Sequence, residues 1–170
     1  ELATLKGMQL QGMPLTEEQE ARIGTAAPYN LDAWDGYQAE REVVLGMARQ
    51  LDKNLVVLAG DTHNAWANNL KDMNGNQVGV EFATASVSSP GLEDYLGLPD
   101  AMIADAEQGI GLLVDGLDYL NINQRGYMVV TFTQEEARAN WYFVDTVKSR
   151  EYTVDNSRSA ARKSLPGAGN

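Results

Sequence analysis

The sequence predicts a mixed α/β fold in which helices pack against β-sheets. Residues 55–59 form an unbroken apolar run that ends at Gly60, which is typical of a strand covered on both faces. Residues 36–51 repeat apolar side chains at helical spacing. Residues 126–133 and 137–146 alternate as strands around a short polar connection and predict an antiparallel hairpin. These segments supply both element types that an α/β fold requires.

Length and charge restrict the fold and the classes of partner. The chain has 170 residues, the size of one domain with one core. It carries 24 acidic against 13 basic residues, a formal net charge of −11, so its average surface repels nucleic acid and anionic lipid. No apolar run approaches the ~20 residues of a membrane-spanning helix. Because the chain has no cysteine, a metal site must use oxygen or imidazole ligands.

The first 28 residues are predicted to be a largely irregular lead-in. Scattered apolar residues are interrupted by glycine and proline. Thr16 and Gln19 have capping-box spacing, so a short helix is predicted over 17–23, and a turn is predicted around Pro28. The chain begins at Glu1 without a signal-peptide pattern, so we expect a piece of a longer or processed protein.

The middle of the chain predicts one helix, one buried strand and a second hairpin. Asp32 or Asp35 is the expected cap of the helix over 36–51. After the buried strand, the turn sequence at 74–76 separates the segments 66–72 and 78–85. The second is predicted as a strand, whereas the first could be a strand or a helical turn.

The remaining segments predict a loop, a helix, strands and a tail. A loop is expected at 86–91, a helix over 99–114 and a short strand over 117–123. In the terminal hairpin, Trp141 and Phe143 share one face. Residues 151–170 are polar and basic, so they are predicted to be a mobile tail rather than a nucleic-acid site. The main domain is therefore placed at residues 29–150.

Asp61 and His63, the only histidine, follow the buried strand directly. Residues beyond the carboxyl end of such a strand line the crevice where ligands bind in layered α/β folds. If the backbone is extended, the two side chains share a face and can bind a metal ion together. The structural alternative is that His63 binds backbone and Asp61 caps a turn. From two residues alone, both hypotheses stay open.

A metal-free serine hydrolase is a further hypothesis. His63 would act as the general base for a nucleophile among the serines of the 86–91 loop, with Asp61 as its orienting acid. The sequence has no G-x-S-x-G nucleophile elbow. The candidate nucleophiles are Ser86, Ser88 and Ser89.

Trp34, Tyr37 and Arg41 stand at the start of the predicted helix. The two aromatic residues could contact substrate or simply anchor the helix. Arg41 lies on the apolar face, so it requires a partner, for which Asp35, Asp61 or a bound phosphate are candidates. With Asn64 beside His63, these residues are the predicted substrate or supporting contacts.

Several blocks of the sequence resemble the C-terminal half of PhoD-type alkaline phosphatases, and they occur in the same order over residues 29–147. The block at 60–63 reads Gly-Asp-Thr-His, and 125–127 reads Arg-Gly-Tyr. The other blocks are 29–37, 55–67, 79–84, 86–91 and 141–146.

The resemblance implies a calcineurin-like metallophosphoesterase fold, a β-sandwich flanked by helices. It implies an exported enzyme, periplasmic or secreted, that hydrolyses phosphate esters at an iron and calcium centre. Gly60 to His63 is similar to the superfamily's Gly-His-x-His ligand motif, with Asp61 in the first ligand position. Asp61 and His63 are therefore the expected metal ligands and catalytic residues.

The family's upstream metal-binding motifs have no counterpart in this chain. Residues 1–24 contain no aspartate, asparagine or histidine. The expected partner is therefore a missing N-terminal half of the same protein, and the chain alone is expected to be inactive. A non-catalytic interaction module remains the alternative besides the serine hydrolase.

Overall fold

The structure, a computed structural model, describes residues 1–25 and 30–167. The predicted turn at Pro28 and the boundary between residues 28 and 29 lie outside the described residues. The helices are α1 Leu2–Leu10, α2 Glu17–Gly24, α3 Gln38–Gln50, α4 Leu92–Tyr95 and α5 Ile103–Leu113, with short 3-10 helices at Trp34–Gly36 and Asp100–Met102. The strands are β1 Leu55–Ala59, β2 Ala65–Lys71, β3 Gln77–Ala83, β4 Leu117–Asn121, β5 Arg125–Phe132, β6 Ala137–Val144 and β7 Val154–Ser164.

The strands form two sheets, and the mixed α/β prediction is confirmed. The first sheet has the order β1-β3-β2-β4, with β1 parallel to β3 and the other pairs antiparallel. The second sheet is antiparallel with the order β5-β6-β7. The predicted hairpins β2–β3 and β5–β6 are both present, so the segment after the buried strand is a strand and not a helical turn.

The main core lies between the two sheets. Phe82 of the first sheet meets Trp141 of the second with ring centroids 5.8 Å apart. The indole Nε1 of Trp141 donates a hydrogen bond to the Ala83 carbonyl oxygen at 2.9 Å, so this polar atom is satisfied inside the core. Trp141 and Phe143 are both buried, which confirms that they share the inner face of β6.

Helix α3 covers the other face of the first sheet. Leu45 is its buried contact, and a small cavity beside it is bounded by Leu55 and Val57 of β1. The predicted caps are wrong: the helix begins after Tyr37, whose hydroxyl donates to Asp32 Oδ1 at 3.0 Å. Asp32 thus fixes the loop before the helix instead of capping its backbone.

Strand β1 is only partly covered. Val56 packs against the core between the sheets, and Leu55 and Val57 face α3, which agrees with a strand covered on both faces. Leu58 is 52% exposed, however. Within the described residues β1 is also an edge strand, and the predicted coverage of both faces extends over residues 55–57 but not to Leu58.

The lead-in is helical rather than irregular. Helix α1 packs on α5, and a Cβ added at Gly109 would lie 3.3 Å from the Cβ of Ala3. Close approach to α5 therefore stabilises a segment whose glycine content argues against a helix. The capping box at α2 is confirmed: Gln19 N donates to Thr16 Oγ1 at 3.2 Å, and Thr16 N donates to Gln19 Oε1 at 2.9 Å.

The predicted mobile tail is wrong for Val154–Ser164, which forms strand β7. Its basic residues have acidic partners on neighbouring elements. Arg158 Nη2 donates to both carboxylate oxygens of Glu107 at 2.6 Å, and Arg162 Nε pairs with Asp118. The composition looked unable to support folding, but strand pairing and cross-element ion pairs hold the segment.

Candidate functional site

The chain leaves β1 through two residues in the left-handed backbone region. Asp61 has φ 64° and His63 has φ 59°. Asp and His adopt this region more readily than most residues, yet each such residue still costs on the order of 1 kcal/mol. The predicted extended geometry is therefore wrong, because the backbone turns at both positions. Strain concentrated directly after a strand is typical of a functional site.

Three contacts fix the position of His63. Its Nδ1 lies 2.6 Å from the carbonyl oxygen of Pro90. Its own carbonyl accepts a hydrogen bond from Leu92 N at 2.9 Å. The ring also meets the edge of Tyr95, with centroids 4.8 Å apart. The loop and short helix at 90–95 therefore hold both the backbone and the ring of this residue.

The Pro90 carbonyl determines which ring nitrogen of His63 carries the proton. A carbonyl oxygen can only accept, so Nδ1 must be the donor. In the neutral imidazole this leaves the lone pair on Nε2, the arrangement found in metal-binding histidines whose second nitrogen is held by a carbonyl. No local sequence pattern indicates this contact, because the acceptor is a backbone atom.

Asp61 is exposed and offers a carboxylate next to the His63 turn. A carboxylate and a neutral imidazole are suitable ligands for calcium-like and iron-like ions respectively. Among residues 1–25 and 30–167, no three His, Cys, Asp or Glu side chains are grouped so that they could hold a metal ion. The donor types fit a metal, but the described residues do not complete its coordination.

Asn64 is buried, with 2% of its surface exposed. Its backbone carbonyl accepts a hydrogen bond from Thr62 Oγ1 at 3.1 Å, which tightens the turn around His63. Within the described part of the chain, its side-chain Nδ2 has no hydrogen-bond partner. A buried amide nitrogen in this state is available to an acceptor.

Arg41 lies away from the His63 turn. It donates to Glu42 Oε1 at 2.9 Å and to the Lys71 carbonyl at 3.0 Å, so these atoms, rather than Asp35 or Asp61, accept its hydrogen bonds. Lys71 pairs with Gln77 at one end of the first sheet, whereas His63 precedes the β2 residues at the other end. The structure does not bring Arg41 together with His63.

Trp34 and Tyr37 are about half exposed, at 47% and 53%. Trp34 borders the same small cavity between α3 and the first sheet as Arg41. Tyr37 contacts Asp32. These contacts are consistent with anchoring of α3, the simpler of the two interpretations from the sequence.

Glu81 is the titratable group with a perturbed environment on this face of the sheet. Burial raises the pKa of its carboxyl group, and the nearby Asp35 adds to the rise. The hydrogen bond that Asn68 Nδ2 donates at 3.2 Å and the charge of Arg41 oppose it. The group faces α3, so it belongs to the helix interface rather than to the His63 turn.

The serine hypothesis requires a bond between His63 and a serine hydroxyl. In the structure, His63 Nδ1 is hydrogen-bonded to the Pro90 carbonyl instead. Ser86 Oγ donates a hydrogen bond to the Ser89 carbonyl at 3.1 Å. The hydrogen bonds of both groups thus shape the loop.

Comparison with known proteins identifies a matching family. Residues 7–141, more than half of the chain, match the family described as PhoD-like phosphatase. Alkaline phosphatase D of Bacillus subtilis (strain 168) is 40% identical over 76 residues, which cover 41% of this chain and 13% of that protein. A solved structure titled "Structure of PhoD" matches with a TM-score of 0.60 and 25% identity.

The chain spans only part of these relatives. The structural match covers 89% of this chain but 34% of the solved chain. Among the described residues, no helix has the length and apolarity needed to span a bilayer.

Proposed function

Because the chain belongs to the PhoD-like phosphatase family, we propose that it is part of a metal-dependent phosphoric ester hydrolase of the alkaline phosphatase or phosphodiesterase type. The observation that carries the proposal is the contact between His63 Nδ1 and the Pro90 carbonyl. It leaves Nε2 as the available ligand atom at a strained turn that follows a strand of the first sheet.

In this proposal Asp61 and His63 bind one side of a metal centre. Calcium and iron are the ions implied by the family resemblance. When bound, the metal ions would neutralise the negative charge of the phosphate group. This effect is needed because the chain's net charge of −11 otherwise repels an anionic ester.

The remaining site residues support this turn or the sheet beneath it. Asn64 would supply its unpartnered Nδ2 to an oxygen at the centre. Trp34, Tyr37 and Arg41 would hold α3 on the first sheet. The exported location, periplasmic or secreted, stays a prediction from the resemblance.

The rest of a longer protein is the proposed partner, and the β1 edge is where it would join. Leu58 on β1 and Met47 on α3 are 52% and 59% exposed. An edge strand beside exposed apolar side chains is a surface for strand addition. The ligands that the described residues do not supply would come from this partner, so the 170-residue chain alone would be inactive.

Hydrolysis of p-nitrophenyl phosphate by the longer protein tests the proposal. We expect activity that a chelator abolishes and that added metal ions restore. His63→Gln and Asp61→Asn should each reduce it by at least about a hundredfold, more than residues that only support ligands. Asp115→Asn is the control, since this exposed residue pairs with Lys71 away from the turn.

Two outcomes would favour the alternatives. Hydrolysis that is insensitive to chelation but lost in a Ser86→Ala, Ser88→Ala or Ser89→Ala variant would indicate the serine hydrolase. A folded longer protein without hydrolytic activity under any metal condition would leave the non-catalytic interaction module.

A further inference from the structure

Arg125 is a buried cation whose contacts converge on the loop beside His63. It is 8% exposed. Its Nε donates to the Ser89 carbonyl at 2.9 Å, and its Nη1 donates to the Asn123 carbonyl at 2.6 Å. The same guanidinium pairs with Glu93, through Nη1, and with Asp94 Oδ2 at 2.8 Å. Each side of the planar group is therefore occupied.

The loop is packed directly against this guanidinium. A Cβ added at Gly91 would lie 2.6 Å from Arg125 Nη1, so a larger residue here would require the guanidinium or its partners to shift. Gly126 N donates to the Ser86 carbonyl at 3.2 Å, which ties the loop's first residue to β5. The loop is thus fixed before and after Pro90.

Pro90 lies between Ser89, whose carbonyl accepts a hydrogen bond from Arg125, and Gly91, which lies against the guanidinium. Its carbonyl oxygen is the partner of His63 Nδ1 at 2.6 Å. A shift of the Ser89–Gly91 backbone would therefore move the acceptor that selects the tautomer and orientation of the ring. Contacts therefore run continuously from the Arg125 guanidinium, through the Ser89–Gly91 backbone and the Pro90 carbonyl, to the His63 imidazole.

We propose that Arg125 is a positioning residue: it holds the 86–92 loop so that the Pro90 carbonyl keeps the His63 ring with its proton on Nδ1 and its lone pair on Nε2. The inference rests on the proposed function in taking Nε2 as a metal ligand. A lysine cannot replace this role fully, because its single ammonium group cannot reproduce the fixed fork of donors to the Ser89 carbonyl and two carboxylates.

A test must separate positioning from general stabilisation. Removal of Arg125 alone leaves Glu93 as a buried unpaired charge and is expected to destabilise the fold. The double variant Arg125→Met with Glu93→Gln removes both charges at similar volume. The matched control is Arg158→Met with Glu107→Gln, which removes another partly buried Arg–Glu pair between separate elements. Arg125→Lys provides a second, milder change.

The measurement is long-range 1H–15N NMR of the 15N-histidine-labelled longer protein, without metal, at about pH 8, where an ordinary imidazole is neutral. His63 is assigned by comparison with His63→Gln. We expect the Nδ1–H tautomer in the wild type and in the control pair. The Arg125/Glu93 variant should show a mixture with the Nε2–H form, and Arg125→Lys a smaller change in the same direction.

Metal affinity of the same proteins is the second readout. Residues that orient a ligand typically contribute 10–100-fold, so affinity should fall by about this factor in the Arg125/Glu93 variant and by less in Arg125→Lys. If the double variant does not fold, the tautomer and the metal affinity of Arg125→Lys, compared with those of the wild type, test the positioning role.

The results separate this inference from the proposed function. Folded Arg125 variants that keep the wild-type tautomer and metal affinity would overturn the positioning role, even if the wild type is a metal-dependent phosphoesterase. A tautomer change that depends on Arg125, in a protein that neither binds metal nor hydrolyses esters, would support the positioning role and reject the function.

Discussion

The two faces of the first sheet are covered by this chain to different degrees. Between the sheets, Phe82, Trp141 and Phe143 are at most 2% exposed, and the indole nitrogen is hydrogen-bonded. On the other side, α3 leaves Met47 59% exposed, and at the edge strand β1 the side chain of Leu58 is 52% exposed. The centre of the first interface is complete within this chain, whereas the α3 side and the β1 edge present apolar surface that further protein can cover.

The candidate site lies at the junction of these two regions. Asp61 and His63 follow the edge strand β1, but the ring of His63 is held by the 90–95 segment. The turn that carries Asp61 and His63 is therefore fixed by contacts within this chain, even though the described residues do not complete a metal site.

The largest effect is expected for the interface between the sheets. Trp141→Ala should lower the free energy of unfolding by about 3–5 kcal/mol, because it creates a cavity and leaves the Ala83 carbonyl without its donor. Urea denaturation measures this change. The neighbouring Tyr142→Ala is the control: Tyr142 is on the outer face and 36% exposed, so its loss should be much smaller. Similar losses in both variants would contradict a core centred on Trp141.

The β1 edge should respond differently in the chain and in the longer protein. Leu58→Lys should change the stability of the 170-residue chain by less than about 0.5 kcal/mol. In the longer protein it should cost at least about 1.5 kcal/mol, the value of burying a leucine. Met73→Lys, at a position 81% exposed in the β2–β3 turn, should be neutral in both. If Leu58→Lys changes the stability of the 170-residue chain and of the longer protein equally, the proposed interface at the β1 edge is ruled out.

Because the backbone at Asp61 is left-handed, the order of stability of glycine and valine variants there should be the reverse of the order inside a strand. Asp61→Gly should be more stable than Asp61→Val by about 1–2 kcal/mol, because valine is strained at positive φ. The same pair of substitutions at Asp118, inside strand β4, should give the opposite order, because valine is favoured in strands. Urea denaturation of the four variants tests this, and the same order at both positions would contradict the turn geometry.

The smallest effect concerns Glu81 under α3, and it depends on pH. Burial raises the pKa of its carboxyl group, so folding favours the protonated form. The stability from this group is present below the pKa that its carboxyl has in the unfolded chain and is lost as the pH rises through the higher folded value.

Glu81→Gln should therefore be more stable than the wild type at pH 7 and should flatten this part of the stability profile. Glutamine keeps an acceptor for the Asn68 amide. Thermal denaturation between about pH 3 and pH 7, which brackets ordinary carboxyl pKa values, checks the profile. Glu40→Gln, an exposed change on α3, is the control, and the proposal of a raised pKa fails if both variants have the wild-type profile.

Local patterns predicted most of the strands and helices. The hairpins, the capping box and the helix over α3 follow from alternation, turn residues and helical spacing. The β7 strand was missed because Arg158 and Arg162 look solvated in sequence, whereas their acidic partners lie far away along the chain. Helix α1 was missed for the same reason, since α5 supplies its stabilising contacts.

The candidate site was predictable in its residue types but not in its geometry. Asp61 and His63 stand out after an apolar run. The acceptor for His63 is the backbone carbonyl of Pro90. The group that holds this loop is Arg125, which lies more than 60 residues after His63 in a block noted only for its family resemblance. Contacts of this kind depend on tertiary structure and leave no local pattern.

Metal binding by the longer protein is the direct test of whether His63 is a metal ligand. Titration of metal-free wild type, His63→Gln and Asp115→Asn with calcium and with iron gives the affinity of each. We predict that His63→Gln lowers the metal affinity by at least about tenfold, since even residues that only support a ligand contribute this much. Asp115→Asn should leave the metal affinity unchanged. Wild-type affinity in a folded His63→Gln protein would contradict the account.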